Sequence, residues 1–192
     1  MAANDYVLVD KFVVPCHRET AYEYIRDIEE YPRWWSNVYK RIIVVQRALP
    51  DQPGGRYLVT VRGFLPYTLT IQNEVTVVQK PDRIEFVSNG DLQGKGTWLF
   101  READAGTEIT FDWRVVANKG TVRLFSFMLK PMFRANHVFC VRRAEEGIIK
   151  DLAKRGQIRT SFLSTSEKKV QPSNENIHLL FPLRSRTSNH HL

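Results

Sequence analysis

Cysteine is scarce in this sequence, and its two copies show no pairing pattern. Cys16 and Cys140 are far apart along the chain and form no CxxC motif. This argues against a disulfide scaffold or a cysteine-based zinc site, and it is typical of proteins from a reducing compartment. We therefore expect a cytoplasmic protein.

Long apolar runs are missing as well. No stretch approaches the roughly 18 consecutive apolar residues that indicate a membrane-spanning helix. The amino end has no basic patch followed by an apolar core. We expect no transmembrane segment, and transient contact with a membrane surface stays open.

The sequence also lacks catalytic and cofactor signatures. It contains no HExxH, GxSxG or GxxxxGK[ST] motif, and its closely spaced glycines at 94 and 96 fall inside a predicted strand. The five histidines, at positions 17, 137, 178, 190 and 191, do not have the spacing of a metal site. From the sequence we assign no catalytic residue, no metal ligand and no cofactor.

Basic residues outnumber acidic ones, 28 to 21, which gives a formal charge of +7. After residue 156 there are five basic and two acidic residues, so much of the excess belongs to the carboxy-terminal end. Elsewhere the two signs are interspersed, which favours an ordinary solvated surface over a nucleic-acid site. We expect no nucleic-acid partner, and a partner-binding role for the basic end is a weaker possibility.

Composition divides the 192 residues into one domain and a tail. Residues 1–155 form a segment long enough to bury roughly 70% of its unfolded surface. Residues 156–192 are rich in Ser, Thr, Asn and basic residues, with one apolar cluster at 177–181. Since such a composition cannot bury enough apolar surface to fold alone, we predict a mostly disordered or loosely docked tail.

Seven β-rich segments are predicted. They lie at 6–14, 41–49, 56–64, 68–79, 83–88, 92–101 and 107–116. Their connections after residue 41, among them the Asn89-Gly90 turn, are too short for crossover helices, so these strands must form an antiparallel meander. In the last strand Ile109, Phe111 and Trp113 alternate with polar residues, which indicates one buried face.

Helical spacing marks three further segments. Two short helices, at 19–28 and 31–35, fall between the first and second strands. A long one covers 121–154, and because proline lacks an N–H we expect a break or kink at Pro131. The fold class is therefore α+β, with a seven-stranded curved antiparallel sheet wrapped around a long carboxy-terminal helix.

Four sequence features carry a resemblance to a known family. They are Tyr31-Pro32-Arg33-Trp34-Trp35, residues 90–98, residues 106–115, and Asn136-His137 followed by residues 142–147. In this order of elements, residues 6–154 resemble the START-like (SRPBCC) superfamily, in its polyketide cyclase and dehydrase-like branch. The resemblance implies a helix-grip fold with a cavity between the sheet and the last helix, suited to an apolar molecule such as a lipid, sterol, quinone or polyketide.

Aromatic and methionine side chains are the candidates for the wall of that cavity, with two polar residues on the last helix to hold a carbonyl or carboxylate. The predicted ligand-binding residues are Trp34, Phe64, Tyr67, Phe86, Trp98, Phe100, Phe111, Trp113, Phe125, Met128, Met132, Asn136, Phe139 and Arg143. Each of these residues taken alone is more typical of core packing. The glycines at 94 and 96 either let the sheet bend or leave room for a ligand.

Two functions fit this sequence. One is a carrier or sequestering protein for a small hydrophobic molecule. The other is a cyclase, aromatase or dehydratase in which Asn136, His137 or Arg143 polarises a carbonyl. His137 is more typical of a hydrogen-bonded structural histidine, and Arg143 could instead pair with Glu146. The ligand and the oligomeric state are left open.

Overall fold

The computed structural model describes residues 5–118 and 126–158, with side chains from residue 131 onward in the second range. A seven-stranded antiparallel sheet is its central feature. The strands are β1 (Asp5–Val14), β2 (Tyr39–Gln46), β3 (Arg56–Val61), β4 (Leu69–Gln79), β5 (Arg83–Gly90), β6 (Leu92–Ala103) and β7 (Gly106–Ala117). Their order in the sheet is β1-β7-β6-β5-β4-β3-β2, so the predicted meander is confirmed and β1 closes it against β7.

The helices also follow the predicted order. Between β1 and β2 lie α1 (Arg18–Arg26), a 3-10 turn (Ile28–Glu30) and α2 (Tyr31–Trp34), and α3 (Ser126–Lys154) follows β7. The helix-grip architecture expected from the sequence is therefore present. Among the described residues, none of the helices combines the length and the apolar character needed to cross a membrane.

The amino-terminal part of α3 differs from the prediction. The described part of the helix, from Ser126 on, continues through Pro131, so the helix is not broken at this proline. A proline inside a helix lacks the N–H that would bond four residues back, so one intrahelical hydrogen bond is missing here. The other predicted residues of this helix, 121–125, lie outside the described residues.

The carboxy-terminal end of α3 is closed by a glycine. Gly156 has a φ of +65°. The N–H of Gln157 donates to the carbonyl of Leu152 at 3.0 Å and that of Gly156 to the carbonyl of Ala153 at 3.2 Å. This pair of bonds is the Schellman ending, which favours glycine at the left-handed position. The domain boundary was predicted here, and most of the predicted tail lies outside the described residues.

Rows of side chains cross the concave face of the sheet from strand to strand. One row consists of Asp10, Phe111, Trp98 and Ile84. The next consists of Leu8, Trp113, Gly96, Phe86 and Val75, and a third of Tyr6, Val115, Gly94, Ser88, Asn73 and Tyr57. Strand alternation predicts this shared face correctly for β6 and β7, because successive side chains of a strand point to opposite sides.

The carboxy-terminal half of α3 fills the space between sheet and helices. Val141, Ala144 and Ile148 are buried in the same apolar cluster as the two tryptophans that follow α1. Gly147 permits this approach, since a Cβ at that position would lie 1.9 Å from the carbonyl oxygen of Trp34. This end of the helix is therefore held close to α2.

The carboxylate of Asp151 on α3 connects the three helices. The Tyr24 hydroxyl donates to its Oδ2 at 2.6 Å, Arg33 pairs with the same carboxylate, and Arg155 Nε lies 2.9 Å from Oδ2. Burial works to raise the pKa of this carboxyl, but the hydrogen bonds from Arg33 and Tyr24 and the charge of Arg155 outweigh burial, so the pKa is lowered. One carboxylate thus joins α1, α2 and α3.

We expect Asp151→Asn to lower the free energy of unfolding at neutral pH by about 1.5–3 kcal/mol, because charge-assisted hydrogen bonds are lost. The pKa of Asp151 in the folded state lies below its unfolded value of about 3.9. The charge therefore stabilises the fold above that value, and the stabilisation disappears as pH falls through the folded-state pKa. Urea unfolding at about pH 7 and about pH 3 should show the two proteins converging at the lower pH.

Glu146→Gln is the matched control. Its carboxylate pairs with Arg143 on the surface, where the two side chains are 61% and 40% exposed. An exposed pair of this kind contributes less than about 0.5–1 kcal/mol. A destabilisation by Asp151→Asn that is equally large at both pH values would contradict the role given to the ionised carboxylate.

Candidate ligand-binding site

Two neighbouring cavities lie on the concave side of the sheet. The larger has a volume of about 270 Å³ and lies between the α1–α2 connection, the β2–β3 loop and strands β3 to β5; we call it the loop-side cavity. The smaller, of about 80 Å³, lies beside α3 and is called the helix-side cavity. Both walls include Tyr39, Asn73, Phe86 and Phe111, so these four side chains stand between the two spaces.

The loop-side cavity has an apolar floor and a charged mouth. Val75, Val78, Ile84 and Trp98 form part of the floor. The charged residues at the mouth are Arg26, Asp27, Glu29, Arg47 and Asp51. Its wall contains no described residue of α3, so the larger hollow is not beneath the last helix as the sequence led us to expect. The reason is that the aromatic rings of α2 and the apolar face of α3 fill that region.

Ion pairs hold the mouth of the loop-side cavity. Arg47 Nη2 donates to Glu29 Oε2 at 2.9 Å, which joins the β2–β3 loop to the 3-10 turn. Asp51 accepts hydrogen bonds from the Tyr22 hydroxyl at 3.0 Å and from Lys80 Nζ at 3.1 Å. The two exposed ion pairs each contribute little to stability, but together with the part-buried bond from Tyr22 they hold the loop that borders the opening.

The helix-side cavity is mostly apolar and is covered by the β3–β4 loop, residues 62–68. The wall includes Ile71, Leu92 and Phe133. Asn136 of α3 accepts a hydrogen bond from the Leu65 N–H at 3.2 Å, which ties the covering loop to the helix. Gly63 is required beneath this contact, because a Cβ there would lie 2.1 Å from Asn136 Oδ1.

A histidine and an aspartate meet at the edge of the helix-side cavity. His137 lines the cavity and is 6% exposed, and its Nε2 lies 3.0 Å from Asp10 Oδ2, without the alignment of a hydrogen bond. The rings of Phe111 and Trp113 flank the imidazole at centroid distances of 5.5 and 6.1 Å. The surroundings are therefore apolar except for the carboxylate.

Our sequence analysis did not identify Asp10, although the sequence contained a signal for it. It occupies an inward position of β1, in alternation with Leu8 and Phe12, which are both buried. A lone carboxylate at a position where alternation predicts an apolar side chain is uncommon, since burying an unpaired charge is costly. That break in the pattern marks Asp10 as a candidate functional residue.

Asn73 is a second polar residue that the sequence analysis missed. It lies on the concave face of β4, is 9% exposed and belongs to the walls of both cavities. Its Oδ1 accepts no hydrogen bond from any residue within the described ranges. The neighbouring Ser88, its partner across the β4–β5 pair, accepts a hydrogen bond from Trp113 Nε1 at 3.4 Å.

Six of the fourteen predicted ligand-binding residues lie in a cavity wall. The helix-side wall contains Tyr67, Phe86, Phe111, Trp113 and Asn136. Trp98 belongs to the loop-side wall, together with Phe86 and Phe111. The structure therefore brings the predicted residues of β5, β6 and β7 together with one polar residue of α3.

Six of the predicted residues lie outside both walls and within the described side chains, and five of these are apolar. Trp34 and Phe100 are buried in the apolar cluster, Phe64 and Met132 are about half exposed, and Phe139 packs edge to face on Phe64 with centroids 5.7 Å apart. Phe125, and the side chain of Met128, are outside the described part of the chain.

Arg143 also lies outside both walls. Its guanidinium donates to Glu146 Oε2 at 2.6 Å on the surface, which is the alternative that the sequence left open. The buried face of α3 carries Phe133, His137, Val141, Ala144 and Ile148. The predicted face, with Met132 and Phe139, is displaced by one residue, which corresponds to about 100° around the helix.

The glycines of β6 leave no room for a ligand. A Cβ on Gly96 would lie 2.2 Å from Cζ of Phe86, so the ring of the neighbouring strand already occupies the space above this glycine. At Gly94 a Cβ would lie 1.9 Å from the carbonyl oxygen of Arg114, which indicates close approach of the backbone. Both glycines therefore serve packing within the sheet.

Comparison with protein families identifies one match that covers most of the chain. The sequence profile of the family described as polyketide cyclase/dehydrase and lipid transport matches residues 7–145. No match was found among curated proteins.

Solved structures with the same architecture include three that align over most of their own length. The Zhui aromatase/cyclase from Streptomyces sp. R1128 is 12% identical, with 79% of this chain and 96% of that chain covered and a TM-score of 0.61. A START superfamily protein from Mycobacterium smegmatis is 16% identical, with 76% and 98% covered and a TM-score of 0.59. TTHA0849 from Thermus thermophilus is 17% identical, with 76% and 99% covered and a TM-score of 0.59. At these identities the likeness establishes the fold alone.

We expect Asn136→Ala to lower the free energy of unfolding by about 1–3 kcal/mol, because the buried N–H of Leu65 loses its acceptor. Urea unfolding monitored by circular dichroism measures this change. Asn118→Ala is the control, since Asn118 is exposed and should cost less than about 0.5 kcal/mol. Equal stability of the Asn136 variant and the wild type would show that this side chain does not hold the covering loop.

Proposed function

This chain belongs to the polyketide cyclase/dehydrase and lipid transport family, and on that premise we propose that it binds a small hydrophobic molecule in the loop-side and helix-side cavities, as a carrier or sequestering protein. The ligand class is a lipid, quinone, sterol or polyketide-like molecule. The cytoplasmic location and the disordered tail stay predictions from the sequence.

The observation that supports this proposal is the pair of adjoining cavities with rings and aliphatic side chains in their walls. The loop-side volume of about 270 Å³ is slightly below the range of about 300–1,000 Å³ that is usual for small-molecule sites, and the helix-side cavity adds about 80 Å³. Transfer of an apolar molecule from water into such a space is favourable in proportion to the apolar area it buries. A charged mouth over an apolar floor suits a molecule with one polar end.

Filling the loop-side cavity should weaken binding without unfolding the protein. We expect Val75→Trp to weaken binding of an apolar probe by at least about tenfold, since the new indole occupies space that the probe needs. Quenching or shift of tryptophan fluorescence reports binding, because Trp98 and Trp113 belong to the two walls. The panel should include fatty acids, sterols and quinones, and native mass spectrometry of the purified protein should detect any molecule that remains bound.

Val45→Trp is the matched control for this experiment. Val45 is 55% exposed, on β2. The control should bind the probe as the wild type does. If the wild type binds nothing in the panel and no bound molecule is detected, or if both variants bind equally, the proposed function is wrong.

The pairing of Asp10 with His137 favours enzymatic cyclisation or dehydration as a second candidate function. One structural neighbour is an aromatase/cyclase. An imidazole beside a partly buried carboxylate can accept a proton from a carbon next to a carbonyl, and the carboxylate then stabilises the imidazolium. Cyclisation of a polyketide-like chain requires such a proton transfer. With Nε2 facing Asp10, Nδ1 is the nitrogen left for exchange with a bound molecule.

For an enzyme of this kind, we expect His137→Gln to lower turnover of a poly-β-ketone substrate by about 10²–10⁴-fold, with binding nearly unchanged. Asp10→Asn should also lower turnover, because the Asp10 carboxylate that stabilises the imidazolium is lost. His17→Gln, at an exposed position, is the control. Binding of the poly-β-ketone without any conversion by the wild type would exclude this second function and leave the first in place.

A further inference from the structure

We infer that the loop-side and helix-side cavities are the two ends of one ligand site, and that Asn73 between them selects an elongated apolar molecule with a hydroxyl group near its middle. This inference rests on the proposed function, since it requires that the cavities bind a hydrophobic ligand. It adds the position and the chemistry of the ligand's polar group.

Asn73 lies at the junction of the two cavities. It is one of four side chains common to the two walls, and the other three are the rings of Tyr39, Phe86 and Phe111. The backbones of all four are held in the sheet by strand pairing, and that of Asn73 on β4 pairs with Tyr57 on β3 and Ser88 on β5. Asn73 is the one amide among the four.

The amide of Asn73 is buried and incompletely hydrogen-bonded. The side chain is 9% exposed, and its Oδ1 accepts no hydrogen bond within the described residues. Buried carbonyl oxygens in folded proteins are nearly always hydrogen-bonded, because an unpaired one loses its bonds to water without compensation. Trp113 Nε1, a donor on the same concave face, is directed to Ser88 at 3.4 Å. The oxygen is itself enclosed in this rotamer, so the amide has to turn about its side-chain torsions to meet a donor supplied by a bound molecule.

The surroundings of Asn73 define the rest of the ligand. On the helix side Ile71, Leu92 and Phe133 offer apolar surface. On the loop side the floor is again apolar, and the mouth carries Arg26 and Arg47 among other charges. A molecule that occupies both spaces is therefore apolar at its inner end, carries a hydroxyl at Asn73 and can place a polar group at the mouth.

Three fatty acids of equal chain length test this inference. Octadecanoic acid has no hydroxyl, 12-hydroxyoctadecanoic acid has one away from both ends, and 2-hydroxyoctadecanoic acid has one beside the carboxylate. Affinities are measured by tryptophan fluorescence, with the full chain kept below the aggregation limit of each acid. We expect the wild type to bind the 12-hydroxy acid at least about tenfold more tightly than the other two, since a site with a buried polar group disfavours analogues that leave it unpaired.

Asn73→Leu should remove the preference for the 12-hydroxy acid and leave the affinity for octadecanoic acid equal or higher. Gln72→Leu is the matched control, because Gln72 is the preceding residue of β4 and is exposed on the opposite face. The control variant should keep the preference. The comparison of the three acids on the wild type decides the question even if the Asn73 variant does not fold.

The outcomes distinguish this inference from the proposed function. Binding of all three acids with equal affinity, or a preference that persists in Asn73→Leu, overturns the role of Asn73 and leaves hydrophobic binding intact. Failure of the wild type to bind the 12-hydroxy acid also overturns the inference, whatever else it binds. Failure to bind any molecule of the wider panel overturns the proposed function as well.

Discussion

The stacked rings of Trp98 and Phe111 at the centre of the concave face determine where the interior is filled and where it is open. The ring centroids are 3.9 Å apart and the planes differ by 7°. They come from paired positions of β6 and β7, so backbone hydrogen bonding fixes both. Because protein interiors pack as densely as organic crystals, other groups are arranged around this flat stack. Phe111 consequently belongs to both cavity walls, and the open space is divided into two parts.

The long helix packs differently at its two ends. Toward its carboxy-terminal end, Gly147 lets the backbone approach Trp34, and the buried aliphatic residues that follow fill the interface. Toward its amino-terminal end it presents Phe133, Asn136 and His137 to the helix-side cavity. Close packing at one end thus fixes the rotation of the helix, and with it the side chains that reach the cavity at the other end.

The sequence predicts nearly all of the strands. Of the residues that it predicts to bind the ligand, fewer than half lie in a cavity wall. Alternation and turn chemistry are local, so the buried faces of β6 and β7 follow directly from Trp98, Phe111 and their neighbours. The rotation of α3 depends on a contact between Gly147 and Trp34 that no local pattern contains, which is why Met132 and Phe139 were expected to face inward. The position of a cavity cannot be predicted from local sequence either. The rotamer of Phe86, a residue of the neighbouring strand, decides whether the space above Gly96 is filled.

Polar residues on the inward face provide the most direct information about function. A polar side chain that is hydrogen-bonded within the protein has a structural role, whereas one without a partner is a candidate for binding a ligand. Asn136 bonds the loop above it, and its role is explained by the fold. Asp10 and His137 face each other, with Oδ2 and Nε2 3.0 Å apart. Asn73 Oδ1 has no such partner among the described residues. In a low-dielectric interior an unpaired carbonyl is a persistent cost to the folded state, and a ligand donor that removes this cost gains affinity and specificity together.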